Sequence, residues 1–274
     1  MTGTPKREGR GARDRLIDTE VAPHLATRVL GRSLLIFRSV DSTNDLLRSD
    51  AFRSAPAGTV IAAEEQRKGR GRLDRVWEAP PFRALLFSVL VEASGGAEEA
   101  ARANLVAALA VADAVQGAGG PDLNIRWPND LVVGDRKVCG ILSEFRSDRG
   151  ALIVGIGLNV NQTEEELPPN AASLRTLAGR AFPRGPLLAA ILNRFEEDLD
   201  ALREGGFEPL RARIEERSSL IGRTVTLDLG GGRTLTAPAL AVGPSGGLIL
   251  ALPDGTREIL AGEVVRVFAS ERPR

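Results

Sequence analysis

Apolar runs alternate with polar segments along this chain, and their spacing predicts a mixture of helices and strands. Residues 84–91 are continuously apolar except for one serine, which is typical of a buried strand. Within residues 97–116, apolar positions at i, i+3, i+4 and i+7 predict a helix with one buried stripe. The pattern also predicts strands over 34–40, 58–65, 123–127, 137–145 and 151–156, and helices over 16–30, 41–52, 188–202 and 207–217. Pro23 is expected to break or kink the helix over 16–30.

The pattern changes near Gly222, where short alternating segments are separated by Gly-Gly-Gly, Pro-Ser-Gly-Gly and Pro-Asp-Gly. Such turns between short strands predict a small all-β barrel or sandwich. The chain is therefore divided into a tail with a short helix (1–31), a larger α+β domain (32–220) and a small β domain (221–274). Residues 1–13 are rich in Gly, Arg and Lys and are predicted to be disordered.

Composition narrows the possible chemistry. The 274 residues carry 36 basic and 36 acidic side chains, a balance that argues against a dedicated nucleic-acid binder. No apolar run approaches the roughly 18–20 residues that cross a bilayer, and no secretory signal is visible, so a cytoplasmic protein without a membrane partner is expected. A single histidine (His24) and a single cysteine (Cys139) exclude a His/Cys zinc cluster and an internal disulfide. Cys139 lies in an apolar run and is interpreted as a buried, inert thiol.

Residues 65–78 form a segment that we call the basic loop. Five cationic side chains surround two glycines there, and Trp77 follows closely. Glycines allow a backbone to approach an anion, guanidinium groups bind phosphate or carboxylate oxygens, and an indole offers a surface for a base. The loop is therefore a candidate anion site, and the alternative is a solvated surface hairpin. Its cationic residues are Arg67, Lys68, Arg70, Arg72 and Arg75.

A second cluster follows the strand predicted over 123–127. Pro128 precedes an amide and a carboxylate, Asn129 and Asp130, and Lys137 comes seven residues after the carboxylate. A hairpin of that span would bring Asp130 and Lys137 together at one end of a sheet. Only three of the 36 basic residues are lysine, which makes Lys137 unusual in this chain. The alternative is an ordinary turn followed by a surface lysine.

In their order and spacing, these segments resemble biotin protein ligases. The resemblance rests on the Gly-Arg-Gly-Arg segment (69–72), Trp-Pro-Asn-Asp-Leu (127–131), Arg-Lys-Val-Cys-Gly-Ile-Leu (136–142), Gly-Ile-Gly-Leu-Asn-Val-Asn (155–161) and Asp-Ser-Thr-Asn (41–44). It is strong over 34–161 and weaker over the β domain, where Gly-Glu-Val (262–264) resembles the family's closing motif. It implies an α+β catalytic domain like that of class II aminoacyl-tRNA synthetases, followed by a small β-barrel.

The resemblance also implies an activity. Biotin and ATP would form biotinyl-5′-AMP and pyrophosphate, and the biotinyl group would pass to one lysine of the biotin carboxyl carrier protein domain of a carboxylase. ATP, biotin and Mg²⁺ are the implied small molecules, and a homodimer is possible. Two rival interpretations are a lipoyl or octanoyl ligase or transferase with the same core fold, and a non-catalytic sensor of biotinyl-adenylate.

By the same resemblance, individual residues receive candidate roles. The candidate catalytic residues are Lys137, Arg72 and Asp130; the biotin-binding residues are Ser42, Thr43, Asn44, Gln66, Gly69, Arg70, Arg72, Lys137 and Gly140; and the ATP-binding residues are Arg72, Trp77, Asn129, Lys137 and Asn159. No metal ligand is assigned, because Mg²⁺ would come with the substrate phosphates, with Asp130 as a possible ligand. Alternatives stay open for three features: Thr43 as a helix cap, Asn129 and Asp130 as a structural turn, and Gly155 and Gly157 as part of a plain core strand.

The chain departs from the family pattern in two places. Asp74 stands where the family usually has glycine, which places a carboxylate and a Cβ in the basic loop. Members that double as repressors carry a winged helix-turn-helix domain, whereas about 30 residues precede the first predicted strand here. No operator binding is therefore expected.

Overall fold

Two β-sheets organise the chain in the computed structural model, which describes residues 15–73, 75–93 and 96–268. The first sheet contains β1 (Leu34–Phe37), β2 (Val60–Ala63), β3 (Ala84–Glu92), β4 (Asn124–Arg126), β5 (Asp130–Val133), β6 (Arg136–Arg146) and β7 (Ala151–Asn159). The second contains β8 (Thr224–Asp228), β9 (Thr234–Val242), β10 (Leu248–Leu252), β11 (Gly255–Ile259) and β12 (Glu263–Val267). In space the strands run β1-β2-β3-β7-β6-β5-β4 and β11-β10-β9-β8-β12. The helices are α1 (Asp18–Val21), α2 (Thr43–Arg48), α3 (Ala97–Gly117), α4 (Leu174–Ala178), α5 (Arg184–Gly205) and α6 (Glu208–Glu216).

The centre of the first sheet is the antiparallel pair β3 and β7. Their register runs from Ala84 opposite Asn159 to Glu92 opposite Ala151, and eight of the nine β3 residues are buried. Helix α3 packs against α5 and against β6, so the helices cover the sheet. The four stripe residues predicted from the sequence are all buried: Leu105, Ala108, Leu109 and Ala112. The strand over 84–91 and the helix over 97–116 are therefore confirmed.

The helix predicted over 16–30 is wrong beyond its first turn. α1 ends at Val21 and is followed by a single 3₁₀ turn that contains Pro23, which has no backbone N–H to continue the helix. The next segment is held by a side chain instead. Glu196 of α5 accepts hydrogen bonds from the backbone N–H groups of Arg28 (2.5 Å), Val29 (2.9 Å) and Leu30 (2.7 Å). A single carboxylate thus replaces the backbone bonds that a helix would have made.

Other predicted elements are also shorter than expected, among them the strand over 34–40, which ends at Phe37. The helix over 41–52 is divided into α2 and a 3₁₀ turn at Asp50–Phe52. The strand over 58–65 forms only at β2, after which Gln66 makes a single bridge with Val40 at the start of the basic loop. The chain therefore leaves the sheet earlier than its apolar pattern predicted, and the loop starts beside α2.

The C-terminal sheet confirms the short strands predicted after Gly222, and all of its pairings are antiparallel. Its apolar residues Val225, Leu227 and Leu250 belong to the same hydrophobic cluster as the first sheet and its helices. Trp127 joins the two parts, since its Nε1 donates a hydrogen bond to the Gly246 carbonyl at 3.1 Å. Among the described residues, no helix combines the length and hydropathy needed to span a bilayer.

Candidate active site

A cavity of about 420 Å³ lies where the basic loop crosses β5, β6 and β7, with the start of β12 at its edge. Of the five cationic residues of the basic loop, Arg67 and Lys68 do not line it and pair with Asp41 instead. All but one of the residues to which the resemblance gives a role do line it: Ser42, Thr43, Asn44, Gln66, Arg70, Arg72, Trp77, Asn129, Asp130, Lys137, Gly140 and Asn159, together with Gly155 and Gly157. The exception is Gly69, which does not line the cavity. Its carbonyl accepts the Trp77 N–H at 3.0 Å, and a Cβ there would lie 2.2 Å from the Trp77 carbonyl oxygen. Gly69 therefore closes the base of the loop.

Lys137 and Asp130 meet in this cavity, as the hairpin predicted. Lys137 Nζ lies 2.6 Å from Asp130 Oδ1, and the two side chains are 37% and 25% exposed. The hairpin of β5 and β6 places them there, and its register shifts between Leu131 and Val132. Lys137 Nζ also lies 5.5 Å from the centroid of the Trp77 ring. The ammonium group is thus fixed by a carboxylate and an aromatic ring but remains accessible to a ligand.

Arg72 reaches across the cavity from the basic loop. Its Nη1 donates to Asn129 Oδ1 at 3.3 Å, and its Nη2 donates to the Gly262 carbonyl at 3.0 Å. Burial lowers the pKa of the Arg72 guanidinium, and the carboxylates of Asp130 and Glu263 act in the opposite direction. Arg72 and Lys137 therefore lie on one cavity, which the sequence predicted. The expectation about Asp74 lies outside the described residues.

Trp77 lies against the backbone of the two central strands. A Cβ at Gly157 would be 2.6 Å from Trp77 Cε2, and a Cβ at Gly140 would be 2.9 Å from Trp77 Cζ3. These glycines therefore make room for the indole ring. Gly155 makes room for the Asn44 side chain in the same way, because a Cβ there would be 2.2 Å from Asn44 Oδ1. The glycines bring Trp77 and Asn44 down onto β6 and β7, so this is more than a plain core strand.

A polar network lies on the α2 side of the cavity. Thr43 donates from its backbone N–H (2.8 Å) and its hydroxyl (3.0 Å) to Gln66 Oε1. Ser88 Oγ lies 2.7 Å from Thr43 Oγ1 and 2.6 Å from Asn44 Oδ1. The helix-cap alternative for Thr43 is wrong, because Ser42 is the N-cap of α2 and accepts the Asp45 N–H at 3.3 Å. Thr43 is thus free to take part in the network.

Glu144 completes this network and holds Arg70. Its Oε2 accepts from Asn44 Nδ2 at 2.8 Å and lies 2.5 Å from Arg70 Nη2, while Arg48 pairs with the other oxygen. Burial acts to raise the pKa of Glu144, but the hydrogen bonds from Asn44, Arg70 and Arg48 outweigh it and hold the pKa below its ordinary value. Arg70 also lies 2.9 Å from Asp45 Oδ1, so it is anchored to α2 as well as to β6.

Sequence reasoning gave no candidate role to several residues of the cavity region, and three of them make contacts on which the site depends: Ser88, Glu144 and Glu263. Ser88 is fully buried and is the one polar residue in the apolar run of β3, a signal that was visible in the sequence. Glu144 carried no comparable signal, since it is one of many charged residues on a strand. Glu263 belongs to the Gly-Glu-Val segment that resembles the family's closing motif, but that segment gave it no individual role. Cys139, by contrast, is buried as predicted, and burial raises the pKa of its thiol.

Comparison with known proteins gives two family matches. The family described as "Biotin/lipoate A/B protein ligase family" matches residues 36–161, and the one described as "Biotin protein ligase C terminal domain" matches residues 220–267. The second match covers the five strands of the C-terminal sheet. The two matches therefore fall on the two sheets described above.

Individual relatives match most of the chain. The biotin--[acetyl-CoA-carboxylase] ligase of Mycobacterium tuberculosis is 32% identical over 241 residues, which cover 86% of this chain and 90% of that protein. The bifunctional ligase/repressor BirA of Bacillus subtilis is 29% identical over 257 residues, 91% of this chain and 79% of that protein. Among solved structures, the biotin protein ligase of Aquifex aeolicus in complex with biotin and ATP matches with a TM-score of 0.74 and 33% identity. That match covers 87% of this chain and 100% of the Aquifex aeolicus chain.

Proposed function

The chain belongs to the biotin protein ligase family, and we propose that the cavity beneath the basic loop is where its reaction takes place. The protein is a ligase that forms biotinyl-5′-AMP from biotin and ATP. It then transfers the biotinyl group to a lysine of a biotin carboxyl carrier protein domain. Its catalytic domain has the fold of biotin and lipoate ligases, followed by a small β domain.

The observation that carries the assignment of the site is the convergence of Lys137, Asp130 and Arg72 on one cavity. The first reaction step brings together two anions, the biotin carboxylate and the α-phosphate of ATP. Preorganised cationic donors stabilise the charge that develops when the carboxylate attacks phosphorus and pyrophosphate leaves. We assign this role to Lys137 and Arg72. An ammonium group is more compact than a guanidinium fork, and this suits Lys137 to the crowded phosphorus.

The two ends of the cavity suit the two substrates. Thr43, Gln66 and Asn44 offer donors and acceptors for the ureido ring of biotin, in the way that small polar groups orient a ligand within a pocket, and the buried Ser88 hydroxyl supports two of them from behind. We place the adenine against Trp77, and the nucleotide near Asn129 and Asn159. Asn159 is buried and accepts a hydrogen bond from Gln162 at 2.7 Å, which fixes its amide.

Mg²⁺ would supply charge neutralisation at the phosphates. Among the described residues there is no group of three or more His, Cys, Asp or Glu side chains that could hold a metal ion, and Asp130 already pairs with Lys137. These residues fit an ion that arrives with the nucleotide and takes most of its ligands from phosphate oxygens and water. Asp130 is the one protein ligand that we propose for it.

The second step needs an amine from another protein. The carrier lysine attacks the carbonyl carbon of the mixed anhydride, the bond to phosphate breaks, and AMP leaves. We propose a carboxylase carrier domain as the only macromolecular substrate and a cytoplasmic location. The formal charge of +0 supports the proposal that no nucleic acid binds, although the Bacillus relative is named as a repressor as well as a ligase. Self-association to a homodimer is compatible with this reaction.

Incubation of the protein with ATP, radiolabelled biotin and a carrier domain tests the proposal. Labelled carrier is expected. Biotinyl-AMP that stays bound without transfer would instead indicate a sensor, and absence of both products with biotin but activity with lipoate would indicate a lipoyl ligase.

A further inference from the structure

We propose that Glu263, in the C-terminal β domain, is a positioning residue that latches the basic loop over the cavity through Arg75. The two side chains form an ion pair that joins the tip of the loop to the first residue of β12. The inference deepens the proposed function, on which it rests. It gives the C-terminal domain a part in holding the reaction site closed.

The β domain holds Glu263 rigidly. In the antiparallel ladder of β12 and β8, the backbone of Glu263 lies opposite that of Asp228, and the Glu263 side chain is only 23% exposed. The preceding residue is also confined, because a Cβ at Gly262 would lie 3.2 Å from the Asp228 carbonyl oxygen and 3.3 Å from Leu229 Cδ2. The Gly262 carbonyl accepts the hydrogen bond from Arg72 at 3.0 Å. Two adjacent residues of the β domain therefore hold two arginines of the loop.

Apart from the contact of Arg72 with Asn129, the described residues at the tip of the loop make few other attachments. Leu73 and Val76 are 71% and 65% exposed, so apolar burial contributes little there. Within the loop, the Gly71 N–H donates to the Arg75 carbonyl at 2.7 Å, which closes a tight turn but does not attach it to the sheet. At the other side, Arg70 is anchored by Glu144 and Asp45. Among the described residues, the far end of the loop is therefore fixed by Arg72, which contacts Asn129 and the Gly262 carbonyl, and by the ion pair of Arg75 with Glu263.

The latch has a consequence for the reaction. A loop held closed excludes water from the mixed anhydride and slows the escape of biotinyl-AMP before the carrier arrives. Glu263 does not touch the reacting atoms in this arrangement. Its loss is therefore expected to speed release of the intermediate and to leave the rate of adenylate formation at saturating substrates within about twofold of wild type.

Hydrogen exchange tests the latch without any substrate. In Glu263→Lys, the amides of Gly71 and Trp77 are expected to exchange about five- to tenfold faster than in wild type, because the ion pair becomes a repulsion. Asp254→Lys is the matched control: Asp254 lies in the same domain and forms an exposed ion pair with Arg257. It is expected to leave both amides unchanged. Equal exchange in wild type and Glu263→Lys would overturn the latch, whatever the protein's activity.

A charge swap then tests its role in the reaction. Dissociation of preformed biotinyl-AMP is expected to be about five- to tenfold faster in Glu263→Lys and to return to within about twofold of wild type in the double variant Arg75→Glu/Glu263→Lys. A melting temperature equal to that of wild type separates this from unfolding. If wild type makes no biotinyl-AMP, the proposed function fails, while the exchange experiment still decides the latch. If the swap gives no rescue, the ion pair is not the positioning contact.

Discussion

Lys137 carries its charge on one nitrogen, and that nitrogen lies between Asp130 Oδ1 and the ring of Trp77. A guanidinium at this position would need a planar space, which the indole ring and the backbone at Gly140 already occupy. The identity of residue 137 therefore follows from the shape of the cavity as well as from its charge.

Replacement of Lys137 by alanine is expected to lower the rate of biotinyl-AMP formation by about 100- to 1000-fold, since a preorganised donor to the developing charge is lost. Pyrophosphate release with biotin and ATP measures it. Arg175→Ala, on the exposed surface of α4, is the control and is expected to behave as wild type. Wild-type adenylation by Lys137→Ala would remove Lys137 from the catalytic residues.

Ser88 tests the biotin end of the cavity. Ser88→Ala leaves Asn44 Oδ1 and Thr43 Oγ1 without their buried partner, at a cost of about 1–3 kcal/mol to the ordered network. The KM for biotin is expected to rise by about tenfold or more, with the KM for ATP as the internal control. An equal rise in both values would mean that Ser88 supports the whole fold and not the biotin end.

Most of the cavity was predictable from sequence because its residues lie in compact motifs. Asp130 and Lys137 are seven residues apart on one hairpin, so local geometry brings them together. Glu144 and Glu263 were not predictable, because their partners lie far away in sequence: Arg70 is 74 positions from Glu144, and Arg75 belongs to a different domain from Glu263. Only the packing of α2, the loop and β12 around the sheet reveals these contacts.

The basic loop is the element on which the fate of the intermediate depends. Arg72→Ala removes its hydrogen bonds to Asn129 and to the Gly262 carbonyl. Release of biotinyl-AMP is expected to be at least about tenfold faster, with labelling of lysines on bystander proteins such as serum albumin. Arg257→Ala, in the C-terminal domain, serves as the control. Retention of the intermediate at the wild-type rate would show that another contact holds it.

The stability of the junction between α2, the basic loop and β6 is expected to depend on pH, because Glu144 joins the three. The pKa of Glu144 is held below its ordinary value, so its stabilisation is full above about pH 4.3 and is lost as pH falls through the lower pKa of the folded protein. At pH 7, Glu144→Gln is expected to reduce the free energy of unfolding by about 1 kcal/mol. Urea unfolding from pH 7 to pH 3 measures this difference, which is expected to shrink below about pH 4. A difference that stays constant over that range would contradict the role of the carboxylate charge.

The two sheets share one hydrophobic cluster. In addition, Trp127, which follows β4, donates a hydrogen bond to the Gly246 carbonyl in the β domain. We propose that residues 32–220 and 221–274 are distinct domains in architecture but unfold together. Urea unfolding followed by circular dichroism and by fluorescence of Trp77 and Trp127 is expected to give one coincident transition. A fluorescence change at lower urea than the loss of secondary structure would show that the β domain separates first.

The overall architecture was largely predictable, because long apolar stripes and glycine-rich turns determine most elements of both sheets. The segment 25–33 was not, since Glu196 holds it from a helix more than 160 positions away. A carboxylate that replaces backbone hydrogen bonds leaves no local pattern in the sequence. The same limit applies to the contact between the basic loop and the β domain.

The most direct measurement is a rapid-quench experiment with biotin and ATP in the absence of any carrier. One pyrophosphate per protein chain is expected in a single burst, together with one biotinyl-AMP that stays bound, since a single cavity holds both substrates beneath the loop. No burst with biotin, or pyrophosphate released without bound biotinyl-AMP, would contradict that arrangement.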